Sequence, residues 1–299
     1  MKSWIRQHPI GAYLAILYPV SWLFNVPALL GKTGLGIISV DIPWQPGVLA
    51  MSVFGLTGLA FVVTAIADGR RGVRELARHF YHVRVAPQWY LLAFSLPFAL
   101  LLIVAVASHG TATFAPWAAH APQLLVGYVQ SVIVGALIIS LCEEGGWTGF
   151  VTARLQRRWG PLATCFAVGP LMGAIHFPLL FMVGTVTVGN TRVHFQDAPL
   201  ILFVLLIGYA IPFRIIMTWL YNSTGGSIPI VSLTHQAFDA LASVVILSTL
   251  LAGTDSVWLD IVPGPVALAI VLFTRGRLGY HDSAPRVTMP VVEAVPASA

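Results

Sequence analysis

Acidic residues are scarce in this chain of 299. Asp and Glu together number 11, and charged residues of both signs make up 9% of it. A water-soluble domain carries roughly 25%. A surface facing water cannot be built from so few charges, so the solvent for most of the chain is lipid. Cysteine is nearly absent too. Cys142 and Cys165 both lie in or beside apolar stretches, and their spacing fits neither a disulfide framework nor a metal motif. The net charge of +5 rests on arginine. In so apolar a chain that excess marks loops on one side of a membrane, and no nucleic-acid partner is expected.

What is present is apolar sequence: 57% of residues are hydrophobic and the mean hydropathy is +0.84. Stretches near 10–30, 46–67, 88–108, 122–143, 161–184, 199–221, 227–250 and 256–274 each have the length a helix needs to cross a bilayer. The expected fold is therefore all-α, a polytopic transmembrane helix bundle of about eight spans. No small-residue cleavage site follows the first apolar stretch, which reads as an uncleaved span. With the N-terminus inside, fourteen of the sixteen Lys and Arg fall on the inner side, among them Arg154, Arg157, Arg158 and Arg214. Only Lys32 and Arg192 fall outside, so both termini are expected to be cytoplasmic. The stretch 68–85 has basic residues at helical spacing beside Leu76, Phe80 and Tyr81. It is expected to form an amphipathic helix on the inner leaflet, in contact with membrane lipid. The tail from about 279 to 299 has the composition of a disordered segment. The chain divides into N-terminal spans with a basic loop (1–121), a core (122–250), and a last span with its tail (251–299).

Ionisable residues inside apolar spans are costly and usually functional. Five stand out: Glu143 and Glu144 at the end of the fourth stretch, His176 in the fifth, and His235 and Asp239 in the seventh. Glu143 and Glu144 are expected where a span meets the cytoplasm, with Gly145, Gly146 and Gly149 forming a compact turn after them. His235 and Asp239 are i and i+4 and share a helical face. Together these residues allow hydrolysis in two ways. A glutamate acts as general base on water with a histidine beside it, or Glu143, His176 and His235 hold a divalent metal such as zinc that activates the water. Sequence leaves both open. The two halves of the site meet only if the fifth helix begins beyond the membrane surface, with 150–164 partly cytoplasmic. Glu143 and His176 are then expected within one hydrogen-bonded water of each other.

The stretches "EEGGWTGF" (143–150), "MGAIHFP" (172–178) and "HQAFD" (235–239) resemble the three motifs of the CAAX-protease and bacteriocin-processing (CPBP or ABI) family of intramembrane endopeptidases. The resemblance covers roughly residues 122–250. It implies Glu143 as the base that activates water, His176 as a holder of that water, and His235 with Asp239 at the oxyanion. Glu144 would support Glu143. Asp239 is expected to orient His235, because an ionised carboxylate cannot donate to an oxyanion. The implied protein is a multi-pass protease of a bacterial inner membrane acting on peptide or membrane-protein substrates. Two positions depart from the motifs. Met172 stands where Phe is usual, and Thr148 stands where Arg is usual. Thr148 cannot supply the charge that would pair with Glu144, and Arg154, six residues on, is badly placed to replace it. This departure favours the alternative of a catalytically silent immunity or scaffold protein. A proton-coupled transporter is a third reading, weakened by the lack of an inverted repeat.

Overall fold

The structure, a computed structural model, describes residues 2–182, 185–188, 191–194, 197–241 and 261–281. It is a helix bundle. The short α1 (Lys2–Gln7) leads into α2 (Pro9–Leu30). Then follow α3 (Gln45–Ala67), the amphipathic α4 (Gly69–Phe80) and α5 (Pro87–His109). The long α6 covers Ala118–Trp159, and α7 is Pro161–Ile175. A hairpin of β1 (Thr185–Val188) and β2 (Thr191–His194) separates α7 from α8 (Pro199–Ser223), and α9 (Ile228–Leu241) and α10 (Pro263–Thr274) complete the described fold. Among the described residues four helices, α2, α3, α5 and α6, are long and apolar enough to cross a membrane, and α7 and α10 are shorter apolar helices. Residues 242–250 of the seventh expected span, the first five residues of the eighth and most of the tail lie outside the described residues.

Proline sets many of the helix starts. Pro9, Pro87, Pro161, Pro199 and Pro263 each open a helix, where the missing N–H has no intrahelical partner to lose. Pro178 acts in the opposite sense. It disfavours helical backbone at the residue before it, and α7 ends at Ile175, with His176 at its C-terminal cap. The exposed carbonyls of that last turn are taken up by α2: Tyr18 donates to Leu171 O (2.7 Å) and Trp22 to Ile175 O (3.1 Å).

Polarity runs inside out. Leu91, Leu137, Leu200 and Phe273 are exposed, while Ser52, Glu144, Thr148, Thr152 and Arg214 are buried. That is the arrangement expected where lipid surrounds the bundle and polar groups join helices within it. Small residues let the helices close up. A Cβ on Gly169 would stand 2.9 Å from Ile211 Cα of α8, so α7 and α8 approach nearly backbone to backbone.

The basic residues gather at one end, as their distribution in the sequence requires. Arg6 donates to Ile66 O (3.1 Å) and Arg154 pairs with Asp68 (2.5 Å). Gln156 bonds Asn222 (3.0 Å), which in turn donates to Leu278 O (3.1 Å). The N-terminus, the α3–α4 corner, the end of α6 and residue 278 therefore share one face of the bundle. The helix expected within 68–85 forms, but its apolar side faces protein. Leu76 is buried, and Leu76 and Phe80 fill the space that Gly149 and Gly145 leave on α6. His79 Nδ1 meets Gly226 O at 2.8 Å. Thus α4 caps the bundle directly behind Glu143 and Glu144.

Candidate active site

The expectation that Glu143 and Glu144 end a helix is corrected. No turn follows them: α6 continues through Gly145–Thr152 as a wider, π-type stretch and stops only at Trp159. The three glycines leave room for neighbouring side chains. Thr57 and Phe80 press on Gly145, Tyr13 on Gly146, and Ile228 and Leu76 on Gly149. Thr57 donates to Cys142 O and Tyr13 to Leu56 O (3.1 Å). With every gap filled, helix is retained where glycine alone favours a turn. π-type turns inside helices are frequent at functional sites.

The chain reverses at Gly160, whose φ of 77° suits glycine. Glu143 lies 17 residues before it and His176 lies 16 after, about 26 and 24 Å along the two helices. The α6–α7 hairpin thus brings them to matching depth. His235 is 8 residues beyond Ser227, which is tied to His82 O (2.6 Å), or about 12 Å along α9. The difference between these lengths means that the hairpin projects past the start of α9.

Four of the five expected residues form one linked group. His235 Nδ1 meets Glu144 Oε1 at 2.9 Å, and its Nε2 lies 3.8 Å from Glu143 Oε2 and 3.6 Å from Asp239 Oδ2. His176 is less directly joined. Its Nδ1 is committed to Met172 O (2.8 Å). Among the described residues it makes no ion pair with Glu143. With Nδ1–H given to Glu144, Nε2 is the nitrogen His235 has free for chemistry, a lone pair in neutral imidazole and a donor in imidazolium. Phe213 closes edge-on against the His235 ring at 4.9 Å.

Two residues escaped the sequence reading. Arg214 was counted as an inner-loop charge, yet it lies within α8 with none of its side chain exposed. Its Nη1 donates to both Glu144 oxygens (3.0 and 2.8 Å), and its Nη2 donates to Thr148 Oγ1 (2.6 Å) and Thr152 Oγ1 (3.3 Å). Thr148 in turn donates to Glu144 Oε2. The charge missing at Thr148 therefore arrives from another helix, and Arg154 serves Asp68 instead. Only the position of Arg214 in mid-span, one of the costliest sites for a cation, could have disclosed it. Ser52, on α3, places Oγ 2.9 Å from Glu143 Oε1; a lone serine in an apolar span carries no such signal.

The group is closed around Arg214 and Glu144 and open at Asp239, whose side chain is half exposed. Among the described residues no three His, Cys, Asp or Glu side chains are arranged to hold a metal ion. His235 Nδ1 is already engaged by Glu144. That bond leaves Nε2 free, as in a metal-ligating histidine, but the expected set of Glu143, His176 and His235 is not gathered into a metal-holding group among the described residues.

Residues 125–241 match the family model described as type II CAAX prenyl endopeptidase Rce1-like. The resemblance read from the three motifs is borne out over this segment, which contains Glu143, Glu144, His176, Arg214, His235 and Asp239. The matched family is one of CAAX proteases and supports a peptidase with peptide or protein substrates. Together with the apolar helices it supports a multi-pass membrane protein. No curated protein matches the chain.

Proposed function

We propose that the chain is an intramembrane endopeptidase of a bacterial inner membrane, hydrolysing peptide bonds of membrane-associated peptides or proteins with water activated by glutamate and histidine. Glu143 takes a proton from water, and the hydroxide formed attacks the scissile carbonyl carbon. His235 Nε2 donates to the developing oxyanion, held in place by Glu144 on one side and Asp239 on the other. The proton on Glu143 then passes to the leaving amine, giving a carboxylic acid and an amine. His176, with Nδ1 anchored to Met172 O, presents Nε2 to the water. Substrate enters on the open side, past Asp239.

The observation that carries this reading is the His235 imidazole set between Glu144 at 2.9 Å and Glu143 at 3.8 Å, in the segment that matches a protease family. The silent-protein alternative rests on Thr148, and the cation that Arg214 supplies to Glu144 from α8 counts against it. The test is cleavage of a fluorogenic peptide library, unmodified and C-terminally prenylated, by the purified protein in detergent. Cleavage by the wild type and its loss in His176→Ala support the proposal. Cleavage that persists unchanged in Glu143→Gln and His235→Gln overturns it.

A further inference from the structure

We infer that Arg214 is the positioning residue of this site. It fixes the Glu144 carboxylate, and through it the His235 imidazole, from a helix that carries no other member of the group. The inference rests on the protease reading for its kinetic consequence but not for its geometry. Three observations carry it. Arg214 is fully buried, and a cation placed there without a function is strongly disfavoured. Four of its hydrogen bonds end on α6, at Glu144, Thr148 and Thr152, so its guanidinium spans two turns of the helix that bears Glu143. The bound carboxylate spends its Oε1 on His235 Nδ1. Without Arg214, Glu144 is a buried carboxylate held only by a threonine hydroxyl and the imidazole, and it is free to turn between them.

The cation need not come from α8. Thr148 and Glu144 are i+4 and i on one helix, the spacing at which an Arg reaches a carboxylate along the same face. Thr148 Oγ1 is 2.6 Å from Arg214 Nη2, so an arginine at 148 with a threonine at 214 delivers its guanidinium into the same space. A purely structural role for Arg214 in α8 would not tolerate that exchange.

The experiment compares wild type, Arg214→Leu, Arg214→Lys and the exchange Thr148→Arg/Arg214→Thr. The protein is labelled with ¹⁵N-histidine, and the His235 signals are assigned by their loss in His235→Gln. The Nδ1–H signal marks the bond to Glu144 and needs no catalysis. The inference expects that signal to shift in Arg214→Leu, to shift partly in Arg214→Lys, which lacks the planar fork, and to return in the exchange. In the peptide assay kcat falls about 10²-fold in Arg214→Leu with KM little changed, since misplacement by about 1 Å costs that much, and the exchange recovers most of it. An unchanged His235 signal in Arg214→Leu, or a folded exchange variant in which the signal does not return, overturns the inference. If Arg214→Leu does not fold, the exchange and Arg214→Lys decide the matter alone. A wild type that cleaves no peptide counts against the protease reading, and the histidine signals still decide the positioning.

Discussion

Ser52 Oγ lies 2.9 Å from Glu143 Oε1, although 91 residues separate the two and Ser52 stands outside the segment that matches the protease family. The same hydroxyl is 2.9 Å from Val48 O. The hydroxyl has one proton to share between these two acceptors, so its hold on Glu143 from the α3 side competes with its bond to its own helix. Ser52→Ala is expected to lower kcat about 10-fold and to cost about 1 kcal/mol of stability, the ordinary worth of a buried hydrogen bond. Ser52→Thr keeps the hydroxyl and most of the activity. Equal rates for Ser52→Ala and wild type in the peptide assay would place Glu143 under other control.

The Arg214–Glu144 pair predicts a pattern of coupled stabilities. Removing one partner of a buried ion pair costs about 3–5 kcal/mol, because the other charge is left buried, whereas replacing both by apolar residues costs far less. Arg214→Leu and Glu144→Leu are each expected to lower the melting temperature in detergent sharply. The double variant is expected to be no worse than either single one. Additive losses would show that the two side chains act independently.

These two residues mark the limit of what the sequence discloses. The helices were legible because apolar length and arginine placement are local properties. The hairpin has only a weak local signal, Val186 and Val188 alternating with threonines ahead of Gly189-Asn190, a turn-forming pair, and it is short beside the two long apolar runs that flank it. Glu143, Glu144, His235 and Asp239 were found from cost alone, since ionisable groups in apolar stretches need a reason. The depth of Glu143 was misjudged because Gly145, Gly146 and Gly149 read as a turn until Thr57, Tyr13, Phe80 and Leu76 are known to fill the gaps. Arg214 is hidden because charge counting assigns every arginine to one side of the membrane without asking whether it lies inside a span, and its partner lies 70 residues away.

The glycine spaces predict their own failures. A methyl at Gly145 runs into Thr57 and Phe80. Gly145→Ala is expected to push α4 off the bundle, costing about 1–3 kcal/mol as overpacking does and raising protease sensitivity between α3 and α5. Phe80→Ala in the same chain opens that space and is expected to recover part of the loss. Limited proteolysis of the single and double variants checks this.

His79 gives a pH dependence outside the spans. Burial holds its imidazole below the ordinary 6.5, against opposing contributions from the Gly226 carbonyl and Glu75, while His82 and Arg78 add to the lowering. The folded chain therefore binds fewer protons at this site than the unfolded chain. Its contribution is fully present above about pH 6.5 and is lost as pH falls through that value toward the lower folded one. Melting temperature in detergent is expected to fall from about pH 7 to about pH 5, with a shallower fall in His79→Gln. Identical slopes in the two proteins would exclude His79 as the cause.

The most direct test of the account is the rate of peptide-bond cleavage in Glu143→Gln, measured in a single turnover beside the wild type on the same peptide. Glutamine keeps the shape and the contact with Ser52 but cannot take a proton from water. The account predicts a folded variant that binds the peptide with wild-type affinity and cleaves it at least about 10³-fold more slowly, within the range that general base catalysis contributes. Cleavage at the wild-type rate would contradict it and remove Glu143 from the chemistry.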